Sequence, residues 1–270
     1  MIIKKFDEII DKYDTFILDQ WGVIHNGGDA FENAVKTLNL LKQHNKKVII
    51  LSNSGKQSFT SYARLTDSGV GRDLYHDVMT SGEHMLHNFN SGKFDNLGKN
   101  PIFFDWDNDF TIMDYLGFEN TDINNASFVL CCGVSRGTAD AYIDDLKIAK
   151  QRNLELVVSN PDLKAMDPNG ALRDCPGAIA KLYEDMGGTV YWFGKPQPQM
   201  YELCNEMIGG WKNAIAVGDS LEHDIKGAND AGIDSVFITT GIHHNEINDN
   251  GLDDVIDKWG QKPTYSLEWF

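Results

Sequence analysis

Short apolar runs that stop on a polar or charged residue constrain this chain more than any other feature. Thr15-Phe16-Ile17-Leu18 ends on Asp19, and Lys47 to Leu51 runs into Ser52-Asn53-Ser54-Gly55. Thr189 to Phe193 leads to Gly194-Lys195, and Ala214 to Val217 leads to Gly218-Asp219. Continuous apolar stretches of this length suit strands covered on both faces, as in a parallel sheet. Between the first two, Ala34, Val35, Leu38 and Leu41 recur at three- and four-residue spacing and predict a helix ending near His44-Asn45. Strand, helix, strand with short connections is a βαβ unit, right-handed by the usual rule. The same order returns with helices over 198–208 and 222–231 and a strand over 235–238. The fold class that follows is α/β with a doubly wound parallel sheet, in which ligands sit at the carboxyl ends of the strands. Asp19, Ser52-Asn53, Lys195 and Asp219 stand at four such ends.

The middle of the chain carries its own elements: strands over 101–104, 128–132 and 154–158, and a helix over 138–150. Two loop-like seams, Thr80-Ser81-Gly82 and Asp167-Pro168-Asn169-Gly170, bracket them, which predicts a small α/β domain inserted into the larger one. A short amphipathic segment, Phe6 to Tyr13, precedes the first strand.

Charge narrows the partners. Forty acids against 24 Lys and Arg give a net charge of −16. That balance counts against wide nucleic-acid binding, which needs cations to replace phosphate counterions, and against docking on an anionic membrane. A small anionic substrate stays open, because one bound metal dication reverses the local sign. No run approaches the ~20 apolar residues that span a bilayer. Met1-Ile2-Ile3-Lys4-Lys5 has no long apolar stretch behind it and does not read as a signal peptide, so the expected location is the cytoplasm. The four cysteines form no C-x-x-C and read as buried free thiols.

Several local patterns lead nowhere. Asp105-Trp106-Asp107-Asn108-Asp109 opens like a calcium loop, but Phe110 and Leu116 replace the Gly and Glu that such a loop needs, leaving a solvated turn. Gly194-Lys195 lacks the spacing and the Ser or Thr of a phosphate-binding loop. Neither G-x-G-x-x-G nor G-x-S-x-G occurs. His243-His244 reads as a pair of solvated loop histidines.

The strand-end residues, by contrast, make chemical sense together. A carboxylate such as Asp19 can attack phosphorus and form an aspartyl-phosphate. Repulsion between two anions hinders that attack, so a hard dication such as magnesium should bridge them through oxygen ligands. Asp219 can supply a second carboxylate, and Asp224 can hold a metal-bound water or orient its neighbours. Ser52 and Asn53 can donate to phosphoryl oxygens, and Lys195 can neutralise charge on nucleophile and phosphate.

Read together, Asp19-x-x-Gly22-Val23, Ser52-Asn53-Ser54, Lys195-Pro196 and Gly218-Asp219-x(4)-Asp224 resemble the four motifs of the haloacid dehalogenase-like (HAD) hydrolase superfamily. Ser159-Asn160-Pro161-Asp162, Pro176-Gly177-Ala178-Ile179-Ala180 and Phe193-Gly194-Lys195-Pro196-Gln197-Pro198 are similar to its subfamily IIA, the NagD-like and p-nitrophenyl-phosphatase-like sugar phosphatases. The resemblance implies a Rossmann-like core over 1–82 and 176–270, with a C2-type α/β cap inserted over 83–175. It implies a Mg2+-dependent phosphatase acting on a small phosphorylated metabolite such as a sugar phosphate; caps of this size are often involved in dimers of the family, so a homodimer is one option and the oligomeric state stays open. By the same resemblance, Asp19 is the nucleophile and first metal ligand, and the backbone carbonyl of residue 21 also binds the metal. Ser52 and Asn53 take the phosphate, Ser54 contacts substrate, and Lys195 is the motif lysine. Asp219 is the second metal carboxylate and Asp224 its support, while Asn160 and Asp162 contact substrate from the cap.

One departure stands out. Family phosphatases carry a second Asp two residues after the nucleophile, to protonate the leaving oxygen and then activate water, and this chain has Trp21. An indole N–H is a donor that does not titrate usefully. Its loss forfeits general acid–base catalysis worth ~10²–10⁴-fold without abolishing metal or phosphate binding. His25, on the loop just beyond, is the candidate replacement. Two rivals follow: a weak or inactive relative that binds a phosphorylated ligand as a sensor or regulator, and a carbon–halogen hydrolase, against which the metal-suited Asp219 and Asp224 speak.

Overall fold

The structure, a computed structural model, describes residues 1–166 and 171–270. In chain order its strands are β1 (Thr15–Leu18), β2 (Lys47–Ser52), β3 (Asp77–Thr80), β4 (Ile102–Phe104), β5 (Val129–Cys131), β6 (Glu155–Val158), β7 (Lys164–Met166), β8 (Leu172–Asp174), β9 (Thr189–Trp192), β10 (Ala214–Gly218), β11 (Asp234–Ile238) and β12 (Tyr265–Leu267). Contacts divide the chain into two units: Met1–Ser52, Phe59–Met79 and Lys195–Phe270 form the first, Asn53–Ser58 and Thr80–Gly194 the second.

The first unit is built on a six-stranded sheet in the order β12-β11-β10-β1-β2-β3. β1 pairs in parallel with β10 and β2, setting Leu18 opposite both Val217 and Ile50. Phe16, Leu18, Val48, Ile50, Ile215 and Val217 pack in one buried cluster, and Ile17, Ile49, Leu51, Ala214 and Ala216 in another. That strict alternation is the two-residue pleat of a sheet covered on both faces, and a one-residue slip would exchange the two sets. The helix Glu32–Gln43 buries Ala34, Leu38 and Leu41 against the first cluster. The helix Pro198–Met207, opened by a proline in its first turn, buries Met200, Tyr201, Leu203 and Cys204 against the second. Counted along this unit alone, the strand order is 3-2-1-4-5-6, the Rossmann-like doubly wound arrangement, with its switch point between β1 and β10.

The second unit has a parallel sheet, β4-β5-β6-β9, and a separate antiparallel hairpin, β7-β8. Here too the faces alternate: Ile102, Phe104, Val129, Cys131, Leu156 and Val158 on one side, Phe103, Leu130 and Val157 on the other. This unit interrupts the first, as an inserted domain does, but its extent differs from the expected 83–175. β9 pairs with β6, Val158 opposite Trp192, and Ile179, Ala180 and Tyr183 of the helix Pro176–Asp185 lie in the same cluster as Leu156 and Val158. Residues 176–194 therefore belong to the inserted unit. Lys195 follows a strand of that sheet and opens the segment returning to the first unit, so it does not sit at the end of a first-unit strand. At the Thr80 seam the hydroxyl of Thr80 accepts the Glu83 N–H at 3.1 Å and caps the helix Ser81–Asn90. The seam expected at Asp167-Pro168-Asn169-Gly170 lies outside the described residues.

Phe6 to Tyr13 forms two 3₁₀ turns, and the helix expected over 222–231 is a π-helical turn, Leu221–Ile225, continued by Lys226–Asp230. The cysteines are free, with Cys131, Cys175 and Cys204 buried. Among the described residues, no helix is long and apolar enough to cross a membrane.

Candidate active site

The switch point gathers the expected acids. The Asp19 N–H donates to the Val217 carbonyl at 2.8 Å, carrying the β1–β10 pairing one residue past the strand. Asp219 follows Gly218, the last residue of β10, so two adjacent parallel strands deliver two carboxylates to one edge. Asp219 is tightly seated. Ile242 N–H donates to its Oδ2 at 2.8 Å, and a Cβ built on either Gly22 or Gly241 would come within 2.1 Å of that oxygen. Gly22 also has φ +80°, which suits glycine. Asp224 is held by the π-helical turn: its Oδ2 accepts Ser220 N–H at 3.0 Å, and a Cβ on Gly218 would strike its Cγ at 2.1 Å. Gly241 and Ile242 were not among the expected site residues. Their only sequence signal is a glycine shortly after β11, the strand beside β10.

Lys195 ties the acids together. Its Nζ donates to Asp19 Oδ1 at 2.5 Å, Asp224 Oδ1 at 2.7 Å and the Leu51 carbonyl at 3.2 Å, and the residue is 3% exposed. Burial pushes the Asp19 carboxyl well above the usual range, with repulsion from Asp224 and Asp219 adding and Lys195 opposing. Asp219 is pushed up to about 7, first by burial and then by Asp224. Burial alone would lower Lys195, but Asp19 and Asp224 outweigh it and hold the ammonium above the ordinary lysine range. Three carboxylates against one ammonium leave two formal negative charges in a buried site. One oxygen from each of Asp19, Asp219 and Asp224 lies within 4.8 Å of the others. Clustered hard oxygen donors with an uncompensated charge of two fit a divalent cation such as magnesium.

The loop after Asp19 folds back tightly, with Gly22 N–H donating to the His25 carbonyl at 2.9 Å. Trp21 is half-buried; its ring meets the His25 ring edge-on at 5.3 Å, and the Arg64 guanidinium lies 5.9 Å from its centroid. His25 does not fit the expected role of replacement acid. It is fully buried, Gly27 N–H donates to its Nδ1 at 2.9 Å, and its Nε2 meets the Gln20 amide at 2.9 Å. An Nδ1 that accepts leaves the ring proton on Nε2, and burial, aided by Arg64, lowers the ring to about 4. His243 is corrected likewise. It is buried, its Nε2 accepting Leu221 N–H at 3.2 Å and its Nδ1 meeting Glu246 at 3.1 Å, whereas His244 is exposed.

Ser52, buried at the end of β2, belongs to the first unit. Asn53, Ser54, Asn160 and Asp162 belong to the second, where Asn53, Asp162 and Asn160 form a hydrogen-bonded group. Asn53 Nδ2 donates to Asp162 Oδ1 at 2.7 Å, Asp162 N–H donates to Asn160 Oδ1 at 2.8 Å, and Gly82 N–H donates to the Ser54 carbonyl at 3.0 Å. The acidic turn after β4 is a turn, with Asp107 and Asn108 exposed at positive φ and Asp109 paired to Lys56 at 2.9 Å.

Comparison with known proteins gives matches along most of the chain. A family model described as haloacid dehalogenase-like hydrolase matches residues 16–117, and one described as HAD-hydrolase-like matches 192–265. The chain is similar to a dihydroxyacetone phosphatase of Corynebacterium glutamicum, 23% identical and covering 84% of this chain and 82% of the relative. It is also similar to an acid sugar phosphatase of Staphylococcus haemolyticus, 21% identical with 95% and 93% covered. Among solved structures, a haloacid dehalogenase-like family hydrolase from Brucella suis superposes with a TM-score of 0.87, at 26% identity over 100% of both chains. A p-nitrophenyl phosphatase from Archaeoglobus fulgidus gives 0.74 at 21% identity, with 95% and 96% covered.

Proposed function

The chain belongs to the haloacid dehalogenase-like hydrolases, and from that premise we propose that it is a Mg2+-dependent phosphatase of their NagD-like branch, hydrolysing a small phosphorylated metabolite. The observation that carries this reading is the buried set of Asp19, Asp219 and Asp224 tied by Lys195 at the switch point. Relatives named for dihydroxyacetone, sugar and glycerol 3-phosphates support a small phosphorylated substrate.

In this reading an Asp19 carboxylate oxygen attacks phosphorus, the bond to the leaving oxygen breaks, and an aspartyl-phosphate forms. Water then attacks that phosphorus, releasing phosphate and restoring Asp19. Lys195 orients the Asp19 carboxylate and offsets its charge, and Asp224, with both oxygens bonded, positions Lys195. A magnesium ion held by Asp19, Asp219 and the Trp21 carbonyl, with Asp224 behind them, would supply charge neutralisation for the meeting of two anions. The contact of Gly22, bonded to that carbonyl, with Asp219 supports the assignment. Ser52 and Asn53 donate to phosphoryl oxygens, and Ser54, Asn160 and Asp162 serve as substrate contacts. Nucleophile, lysine and acids are all present and mutually seated, which supports a catalyst over a sensor.

Phosphate release with magnesium from p-nitrophenyl phosphate, dihydroxyacetone phosphate, glycerol 3-phosphate and a set of sugar phosphates tests the proposal. Release from at least one of these compounds that stops on chelation is the expected result. Ligand binding without turnover on every compound would favour the sensor. A second expectation concerns the seat of Asp219. In Gly241→Ala the added methyl must push the carboxylate off the Ile242 N–H, so divalent affinity, read by metal titration, should weaken about 10- to 100-fold. Unchanged affinity would mean that Asp219 is not a ligand.

A further inference from the structure

We infer that this site is specialised for phosphoryl donors whose leaving oxygen departs unprotonated, namely aryl and enol phosphates, acyl phosphates and phosphoanhydrides, and that Trp21 sets this preference. The inference rests on the phosphatase reading and deepens it.

Transfer of a phosphoryl group to Asp19 leaves an electron pair on the departing oxygen. An alkoxide is too basic to leave readily unless a proton reaches it in the transition state, whereas a phenolate, enolate, carboxylate or phosphate leaves without one. Among the described residues of the first unit, the proton carriers packed around the nucleophile are already committed. The Lys195 ammonium is bonded to Asp19, Asp224 and the Leu51 carbonyl. Asp224 accepts hydrogen bonds on both oxygens, and Asp219 accepts one from Ile242 N–H within its glycine clamp. The loop that leaves Asp19 offers Gln20, which carries no acid, and Trp21, whose indole does not release its proton. His25 is buried with both ring nitrogens engaged, and its ring lies against the indole. Arg64, beside the same indole, holds its protons too firmly to act as an acid.

In the first step the Asp19 oxygen–phosphorus bond forms, the phosphorus–oxygen bond to the leaving group breaks, and the leaving group takes the electron pair and later a proton from solvent. In the second step a water oxygen attacks the aspartyl-phosphate, and its proton passes to solvent without a side-chain base from the first unit; Asp162, the carboxyl placed among the substrate contacts, accepts a hydrogen bond from Asn53 Nδ2 at 2.7 Å. The first step therefore depends strongly on the leaving group, and the second is slow for every substrate alike.

The experiment compares kcat/KM, which reads transfer to Asp19, across substituted phenyl phosphates, an acyl phosphate and a simple alkyl phosphate. It uses the full chain with magnesium, alongside Trp21→Asp and Trp21→Phe. The wild type should fall steeply as the leaving group becomes more basic, and Trp21→Phe should keep that slope. Trp21→Asp should raise the alkyl phosphate by about 10²-fold or more and the most acidic phenyl phosphates by less than about tenfold, flattening the series. A flat wild-type series, or an aspartate that raises all members equally or none, overturns the inference while leaving the phosphatase reading intact. No release from any member overturns the phosphatase reading itself. If Trp21→Asp does not fold, the wild-type slope alone decides.

Discussion

Asp19→Asn is expected to lower phosphate release by about 10⁴- to 10⁶-fold, the range seen when a nucleophile is removed from a site that otherwise binds normally. The amide nitrogen and oxygen nearly match the carboxylate in shape, so Lys195 keeps a partner in the Asn oxygen. The substitution also removes one of three mutually repelling buried carboxylates whose charge burial disfavours. The variant should therefore be no less stable to heat than the wild type in the absence of metal. Activity loss with stability kept, followed by phosphate release and thermal denaturation, separates a nucleophile from a structural acid. A variant that keeps more than a tenth of its activity would remove Asp19 from the chemistry.

Lys195→Met should do the opposite to stability. The lysine is buried and bonded to two carboxylates, and its removal leaves three acids with no compensating charge. Breaking a buried ion pair from one side costs about 3–5 kcal/mol, much of it the burden of the unpaired partner. Turnover should fall by at least about 10²- to 10³-fold, as for loss of one group that stabilises transition-state charge. The double variant Asp19→Asn with Lys195→Met discriminates further. With one carboxylate gone, the lysine's loss should cost measurably less stability than it does alone, a coupling that denaturant titration of the four proteins reads directly. Additive costs would show that the lysine does not work through Asp19.

Much of this was legible in the sequence because parallel-sheet strands announce themselves. Thr15–Leu18 and Ala214–Gly218 are buried throughout and almost wholly apolar, since both faces are covered, and the acids just past them fall on one edge because the strands are adjacent and parallel. Which sheet a strand joins is less local. Thr189–Trp192 reads as a short β-forming run like those of the first unit, but its partner is β6, more than thirty residues earlier, and nothing within the segment says so. Lys195 was therefore recognisable as a residue but not in its place. It reaches the carboxylates from the start of a returning segment, through the length of a lysine side chain. His25 and His243 show the limit in another way. Each looks like a loop histidine, and each is buried by contacts that the surrounding residues do not advertise: a fold-back onto Gln20 and Gly27 for one, the Leu221 amide for the other. The seating of Asp219 between Gly22 and Gly241 depends on residues more than two hundred positions apart. Only three dimensions bring them together.

The central claim is that Asp19 carries the phosphoryl group. With no uncommitted side-chain base among the described residues of the first unit to hasten its hydrolysis, the covalent intermediate should accumulate during turnover of an aryl phosphate. The direct measurement is an acid quench during the steady state with phosphate-labelled substrate and magnesium, followed by peptide mass spectrometry. Label is expected on the peptide containing Asp19, absent from Asp19→Asn and from wild type quenched after chelation. Turnover with no label on that peptide, or label on another residue, would contradict it.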